Sequence, residues 1–368
     1  MRLILHIGTH KTGTSALQKF LHINRELLLE QWVFYASRAG SKNANFMGRE
    51  LVEGNQSVVQ SFFAESLIKA EAAGANTMLV SAESLYAMSA FNLSLKDKPC
   101  DKYWELEKQA IESLRASIPQ ELEIQIVCYF RRPDQFLESI YNQIIKATRY
   151  SGSIDEFLNV MMPALDYIGH IQLWQQVFGK EHCSVYGYEN AGQNIVSEFL
   201  TKVLGIIEFE HYENKELRLN TRLSRDVLEF KRILNRIPAS RVQREMDKRS
   251  CVVLNNQLGD SGRYHDYLIS EKRSQLLQEL DLMLASIATQ FGVEFAEARI
   301  GDAEAYPGLS VEKVAELIAR YETTQTGTNF RIGKILLSMA RSIRKNRLGL
   351  TWVLTLARWL KLNDLVRR

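Results

Sequence analysis

The chain has 368 residues, 46% hydrophobic and 24% charged, with a net charge of +3, values of an ordinary soluble globular protein with room for one large α/β domain and an appendage, or two domains. Cys100, Cys128, Cys183 and Cys251 are scattered without metal-ligand spacing, which argues against a disulfide framework or a zinc site and for a reducing compartment. Met1 leads straight into an apolar strand pattern and no run of eighteen apolar residues occurs, so neither an export leader nor a membrane span is expected.

In chain order, Leu3, Ile4, Leu5 and Ile7 read as a buried strand. Gly8-Thr9-His10-Lys11-Thr12-Gly13-Thr14-Ser15 follows as a tight loop, and Ala16, Leu17, Phe20 and Leu21 recur at helical spacing. Backbone N–H groups converging at the start of that helix favour an anion. The Gly-x4-Gly spacing is that of a Walker A loop, but Thr14 stands where its lysine belongs, and the cation has moved inward to Lys11. Further strands are expected near 32–36, 77–82, 122–130 and 182–187, with helices between them, hence a parallel sheet covered on both faces. Glu83 follows the third strand. Its carboxylate reads either as a general base at the loop's edge of the sheet or as a cap on a helix over 84–88. His10 is the second candidate base, against the reading of a neutral imidazole bonded to a carbonyl, and His6 reads as structural.

The strand at 122–130 ends in Arg131-Arg132-Pro133, and a helix over 133–149 opens at the proline. That helix buries Phe136, Leu137, Ile140, Tyr141, Ile144 and Ile145 and leaves Gln135, Ser139, Asn142 and Lys146 as a polar strip. Beyond the fifth strand, 193–204 reads as a helix, and Leu217 to Asn235 as an amphipathic helix with Asn220 as its N-cap. Residues 238–268 read as polar and irregular, and 270–291 as a helix closing the domain.

Two motifs carry a resemblance. Gly8-x-x-Lys11-Thr12-Gly13-Thr14-Ser15 resembles the 5′-phosphosulfate loop of sulfotransferases that use 3′-phosphoadenosine 5′-phosphosulfate (PAPS), and Arg131-x-Pro133-x5-Ser139-x-Tyr141 resembles their 3′-phosphate motif. The Cys183–Glu189 segment, with Tyr188-Glu189, is similar to the family's last core strand, and the loop variant to its bacterial carbohydrate-sulfating branch. The resemblance implies an α/β, P-loop NTPase-like three-layer sandwich with a central parallel sheet over 1–300. It implies sulfuryl transfer from PAPS to a hydroxyl of a saccharide or glycoconjugate, releasing adenosine 3′,5′-bisphosphate and requiring no metal. Gly8, Thr9, Lys11, Thr12, Gly13, Thr14, Ser15, Arg131 and Ser139 would then hold the donor, Arg263 would reach its 3′-phosphate from a late basic loop, and Lys11 with Glu83 or His10 would do the chemistry. The alternatives are an ATP-using P-loop kinase, disfavoured because no apolar strand ends in a Walker B aspartate, and a non-catalytic sulfotransferase-like binding protein.

The resemblance stops near residue 295, and 301–368 is expected to be a helical basic extension. From Arg331 to Arg368 there are ten Lys or Arg against one Asp, with apolar residues at helical spacing. This pattern fits either peripheral contact with an anionic membrane, which would put a cytoplasmic protein at the inner membrane surface, or a helical hairpin with a solvated basic face. No nucleic-acid partner is expected. Under the membrane reading, the full chain floats with anionic liposomes while a chain ending at Gln325 does not; equal flotation contradicts it.

Overall fold

The computed structural model describes residues 1–89, 102–188, 195–208, 211–213, 222–258, 267–296, 306 and 308–324. Five strands, β1 (Arg2–His6), β2 (Val33–Ala36), β3 (Thr77–Ser81), β4 (Glu123–Phe130) and β5 (Cys183–Gly187), form one sheet in the order β2-β3-β1-β4-β5, every neighbouring pair parallel. Leu3, Ile4 and Leu5 point alternately to its two faces and are all fully buried, so both faces are covered, as a parallel sheet requires. On one face, Ile4, Val127 and Tyr129 pack with Leu17, Phe20, Leu21, Val196, Phe199 and Leu200. The chain is therefore α/β, and its all-parallel sheet fits a three-layer sandwich. Because the strands run the same way, the ends of β3, β1 and β4 lie side by side on one rim. The strand order reverses at β1, the place where such sheets open a crevice.

The described helices are α1 (Thr14–Ile23), α2 (Arg25–Glu30), α3 (Phe46–Val52), α4 (Gln56–Ala72), α5 (Tyr103–Ser117), α6 (Pro133–Ala147), α7 (Ile154–Leu165), α8 (Tyr167–Phe178), α9 (Ile195–Phe199), α10 (Arg225–Asn235), α11 (Arg241–Leu258), α12 (Ser270–Glu279), α13 (Asp281–Phe291) and α14 (Val311–Thr323). The chain divides into two units. The first comprises 1–137, 158–220 and 275–299 and contains the whole sheet; the second comprises 138–157, 221–274 and 300–368. Among the described residues the second unit is helical.

Several expectations need correction. The stretch 238–268, read as irregular, contains the eighteen-residue helix α11. Its buried side includes Asp247, Ser250 and Asn255 beside Cys251 and Leu254, so polar residues interrupt the apolar period. They are buried because they are bonded: Asp247 accepts from Tyr321 Oη at 2.5 Å, and Asn255 Oδ1 from the Ser224 N–H at 2.6 Å. The polar strip of α6 is only partly solvated: Gln135 and Ser139 are half-buried, whereas Asn142 and Lys146 are buried and Asn142 Nδ2 donates to the Leu223 carbonyl at 2.9 Å. The expected helix 270–291 is two, α12 and α13, parted at Leu280, and the expected helix 84–88 is only a 3₁₀ turn, Glu83–Leu85. The helix expected over 193–204 passes from α9 into a π turn, Leu200–Leu204. Asn220, Glu189, Arg263, Cys100 and the basic segment 331–368 lie outside the described residues. No helix among the described residues is long and apolar enough to cross a membrane.

Burial sets two opposed pH dependences. Glu107, fully buried on α5, accepts from the Met88 and Ser89 N–H groups at 2.9 and 2.8 Å, yet burial pushes its carboxyl up to about 7. His170, whose Nε2 is 3.0 Å from Tyr103 Oη, and His6 are driven down by burial to about 3 and about 4. Native Glu107 keeps a proton that an unfolded carboxyl sheds, so its contribution to stability is lost as pH rises from about 4.5 to 7. The two histidines bind fewer protons natively, so theirs is lost as pH falls below 6.5. Glu107→Gln is expected to flatten the decline in melting temperature between pH 5 and 8 while leaving the acid side unchanged; parallel profiles for both proteins would contradict this.

Candidate functional site at the sheet rim

β1 runs into the Gly8–Ser15 loop, which is tied to β4 at its base: the Ile7 N–H donates to the Val127 carbonyl at 2.9 Å, and buried Thr9 Oγ1 to the Tyr129 carbonyl at 2.8 Å. Thr9 thus anchors the loop. A Cβ at Gly8 would stand 2.8 Å from Thr14 Cγ2 and 3.1 Å from His6 Nε2, so this tight bend needs glycine. His10, Lys11 and Gly13 all have positive φ, of 56°, 57° and 73°. For two residues with side chains this left-handed conformation is strained, and such strain concentrates where backbone groups are held for a task. Gly13 then starts α1 with no side chain capping it, leaving its N-terminal N–H groups facing the loop. Thr12 Oγ1 is buried without a hydrogen-bond partner among the described residues.

Arg131, one residue past β4, closes the other side. Its Nη1 donates to the Lys11 carbonyl at 2.9 Å and its Nη2 to Gln135 Oε1 at 3.2 Å, and its Cζ lies 5.3 Å from the Tyr188 ring centroid. The two charged residues that the sequence singled out, about 120 positions apart, are therefore in contact, with the arginine bracing the loop's backbone. Arg132 is structural: it is buried, bonding Asp134 Oδ1 and the Ala296 carbonyl, each at 2.7 Å.

Glu83 comes directly off the end of β3. It caps no helix. Its Oε2 accepts from Thr14 Oγ1, its Oε1 accepts from Asn45 Nδ2 at 3.3 Å, and His10 Nδ1 lies 3.9 Å from Oε1. The rival bases are neighbours. Burial lowers the His10 imidazole below its ordinary range, Glu83 pulling it back up and Lys11 adding to the fall, so the ring is neutral at physiological pH. Thr14 turns its hydroxyl to Glu83 rather than into the loop, and Ser15 and Lys11 are half-buried. Ser139 stands half-buried on α6, within the second unit.

A polar chain behind Glu83 ties Asn43 and Asn45 to Gln18, Ser81 and His6, links that no spacing in the sequence shows. Asn43 Oδ1 accepts from the Asn45 N–H at 3.1 Å, Asn43 Nδ2 donates to Gln18 Oε1 at 2.9 Å, Gln18 Nε2 to Ser81 Oγ at 3.2 Å, and Ser81 Oγ lies 2.9 Å from His6 Nδ1. The available signal was Gln18, a polar residue on the apolar side of α1, where it is buried. Asn43-Ala44-Asn45 and Glu83 are also held by a close approach of α3: a Cβ at Gly48 would lie 2.2 Å from the Ser84 carbonyl oxygen. Gly48→Ala should cost about 1–3 kcal/mol of stability, read as a lowered melting temperature, and displace Glu83; an unchanged melting temperature contradicts the tight fit.

Comparison with protein-family models, with curated proteins and with solved structures gives no match. The chemistry rests on the geometry. A strained, glycine-flanked loop with a lysine and an uncapped helix start has the chemistry to receive an anion, and an oriented carboxylate beside it can accept a proton.

Proposed function

We propose that this protein is a PAPS-dependent sulfotransferase acting on a hydroxyl of a saccharide or glycoconjugate, with the Gly8–Ser15 loop serving as a P-loop-like cradle. The observation that carries the reading is the joining of three strand ends, where Glu83 from β3 bonds Thr14 of the loop while Arg131 from β4 bonds the Lys11 carbonyl. The residues fit a phosphate-bearing donor: Thr12 Oγ1 is buried with no hydrogen-bond partner among the described residues, and the bend at Gly8 keeps out any side chain.

Bound there, the donor supplies an activated sulfuryl group: the acceptor oxygen forms a bond to sulfur, the sulfur–oxygen bond to the 5′-phosphate breaks, and adenosine 3′,5′-bisphosphate leaves with the electron pair. Lys11 and the N–H groups at the start of α1 stabilise negative charge growing on the 5′-phosphate side. Glu83 takes the acceptor's hydroxyl proton, its carboxylate aimed by Thr14 and Asn45. His10, neutral and 3.9 Å away, gains attraction to Glu83 only if protonated. Arg131 keeps the loop in its strained form. Sulfuryl transfer, like phosphoryl transfer, leaves a protein mainly positioning and charge stabilisation to supply, and these residues supply both.

The test is incubation with sulfur-labelled PAPS and cell-envelope extracts. Label should pass to a saccharide-containing product and bisphosphate should accumulate. Transfer of labelled γ-phosphate from ATP, with none from PAPS, would instead establish a kinase.

A further inference from the structure

The second unit contains a guanidinium with two buried nitrogens that have no hydrogen-bond partner among the described residues. Arg225 is the first residue of α10; its Cζ lies 3.6 Å from the ring centroid of Tyr267 and 4.9 Å from that of Tyr306. Its Nε and Nη1 are buried and have no hydrogen-bond partner among the described residues. The nearby acids serve others. Asp226 accepts from Tyr306 Oη at 2.6 Å, and Glu229 holds Arg232 at 2.6 Å. A second guanidinium shares the tyrosine: Arg222 Cζ is 5.6 Å from the Tyr267 centroid, and its Nη2 donates to Glu138 Oε2 at 3.3 Å. Glu138 is also bonded by Arg273 at 3.0 Å, so it is no private counter-ion for either.

Stacking on aromatic rings offsets part of the cost of taking a guanidinium from water, but ring faces do not accept its N–H groups in place of an oxygen. Burial lowers the Arg225 guanidinium below its ordinary range, against the pull of Tyr267 and Glu229.

We propose that Arg222 and Arg225, walled by Tyr267 and Tyr306, form an oxyanion site that takes the phosphate or sulfate ester group of a ligand. A guanidinium fork matches two oxygens of such a group, and a tetrahedral oxyanion keeps a further oxygen for a second arginine, which a planar carboxylate held by one fork does not. The site lies within the second unit and does not depend on the function proposed for the first.

The test is hydrogen exchange read by mass spectrometry on the full chain, with inorganic phosphate or inorganic sulfate added against sodium chloride at matched ionic strength. Either oxyanion should slow exchange in peptides covering 222–232 and 267–274, in the wild type and equally in Lys11→Ala, which removes the ammonium of the first unit's loop. Arg225→Gln should raise the half-saturating concentration by about tenfold, the loss of one charge-assisted bond pair. Arg222→Gln, which alters a side chain already 36% exposed, should raise it by a smaller factor and decides the matter if Arg225→Gln does not fold. Equal protection by chloride, loss of protection in Lys11→Ala, or an unshifted response in a folded Arg225→Gln or in Arg222→Gln would overturn the proposal.

Discussion

Lys11→Ala is expected to abolish measurable turnover, a fall of about a hundred- to a thousandfold or more, while weakening bisphosphate binding much less. Lys11 is placed by its own left-handed backbone and by the bond from Arg131 Nη1 to its carbonyl, so its removal leaves the loop braced from β4. The loss should therefore appear in the chemical step and not in folding, with an unchanged melting temperature and a single-turnover rate that collapses. If the variant instead keeps its rate and loses affinity alone, Lys11 contributes only uniform binding.

Glu83→Gln should lower the rate by about two to four powers of ten, the usual contribution of a positioned base. The substitution keeps volume, and an amide oxygen can still accept from Thr14 Oγ1. The amide nitrogen then meets Asn45 Nδ2, donor against donor, which the Asn45 amide relieves by turning over. Donor affinity should stay within a few-fold while the single-turnover rate falls. Asn45→Asp provides a contrast, since a second carboxylate beside Glu83 repels it and should depress the rate with Glu83 still present. A Glu83→Gln protein with wild-type turnover would leave His10 as the proton acceptor.

The sheet and the rim were legible in the sequence for a physical reason. Strands buried on both faces read as continuous apolar runs, and Leu3-Ile4-Leu5 and Ile126-Val127-Cys128 state their burial directly. Glycines at 8 and 13 and the proline after Arg131 mark where strands turn into helices, so Lys11, Glu83 and Arg131 could be assigned to one edge from their distance past each strand. What stayed hidden depends on partners remote in the chain. Asp247, Ser250 and Asn255 look like solvated positions until Tyr321 and Ser224 arrive to bond Asp247 and Asn255, and so α11 was read as irregular. The same holds at the site. Asn45, Asn43 and Gln18 matter through one another and through Ser81, and no local spacing announces a chain drawn from three separate segments. Arg131 is a related case: the motif suggested a grip on a ligand, whereas the fold spends one arm of its fork on the loop itself.

Calorimetric titration of the full chain with adenosine 3′,5′-bisphosphate, without magnesium, alongside magnesium-ATP as the competing ligand, tests whether the rim joining Gly8–Ser15, Glu83 and Arg131 receives a sulfonated nucleotide. Saturable one-to-one binding of the bisphosphate is expected, weakened in Lys11→Ala and unaffected by chelator, with ATP binding more weakly. Preference for magnesium-ATP, or no heat with the bisphosphate, would contradict it.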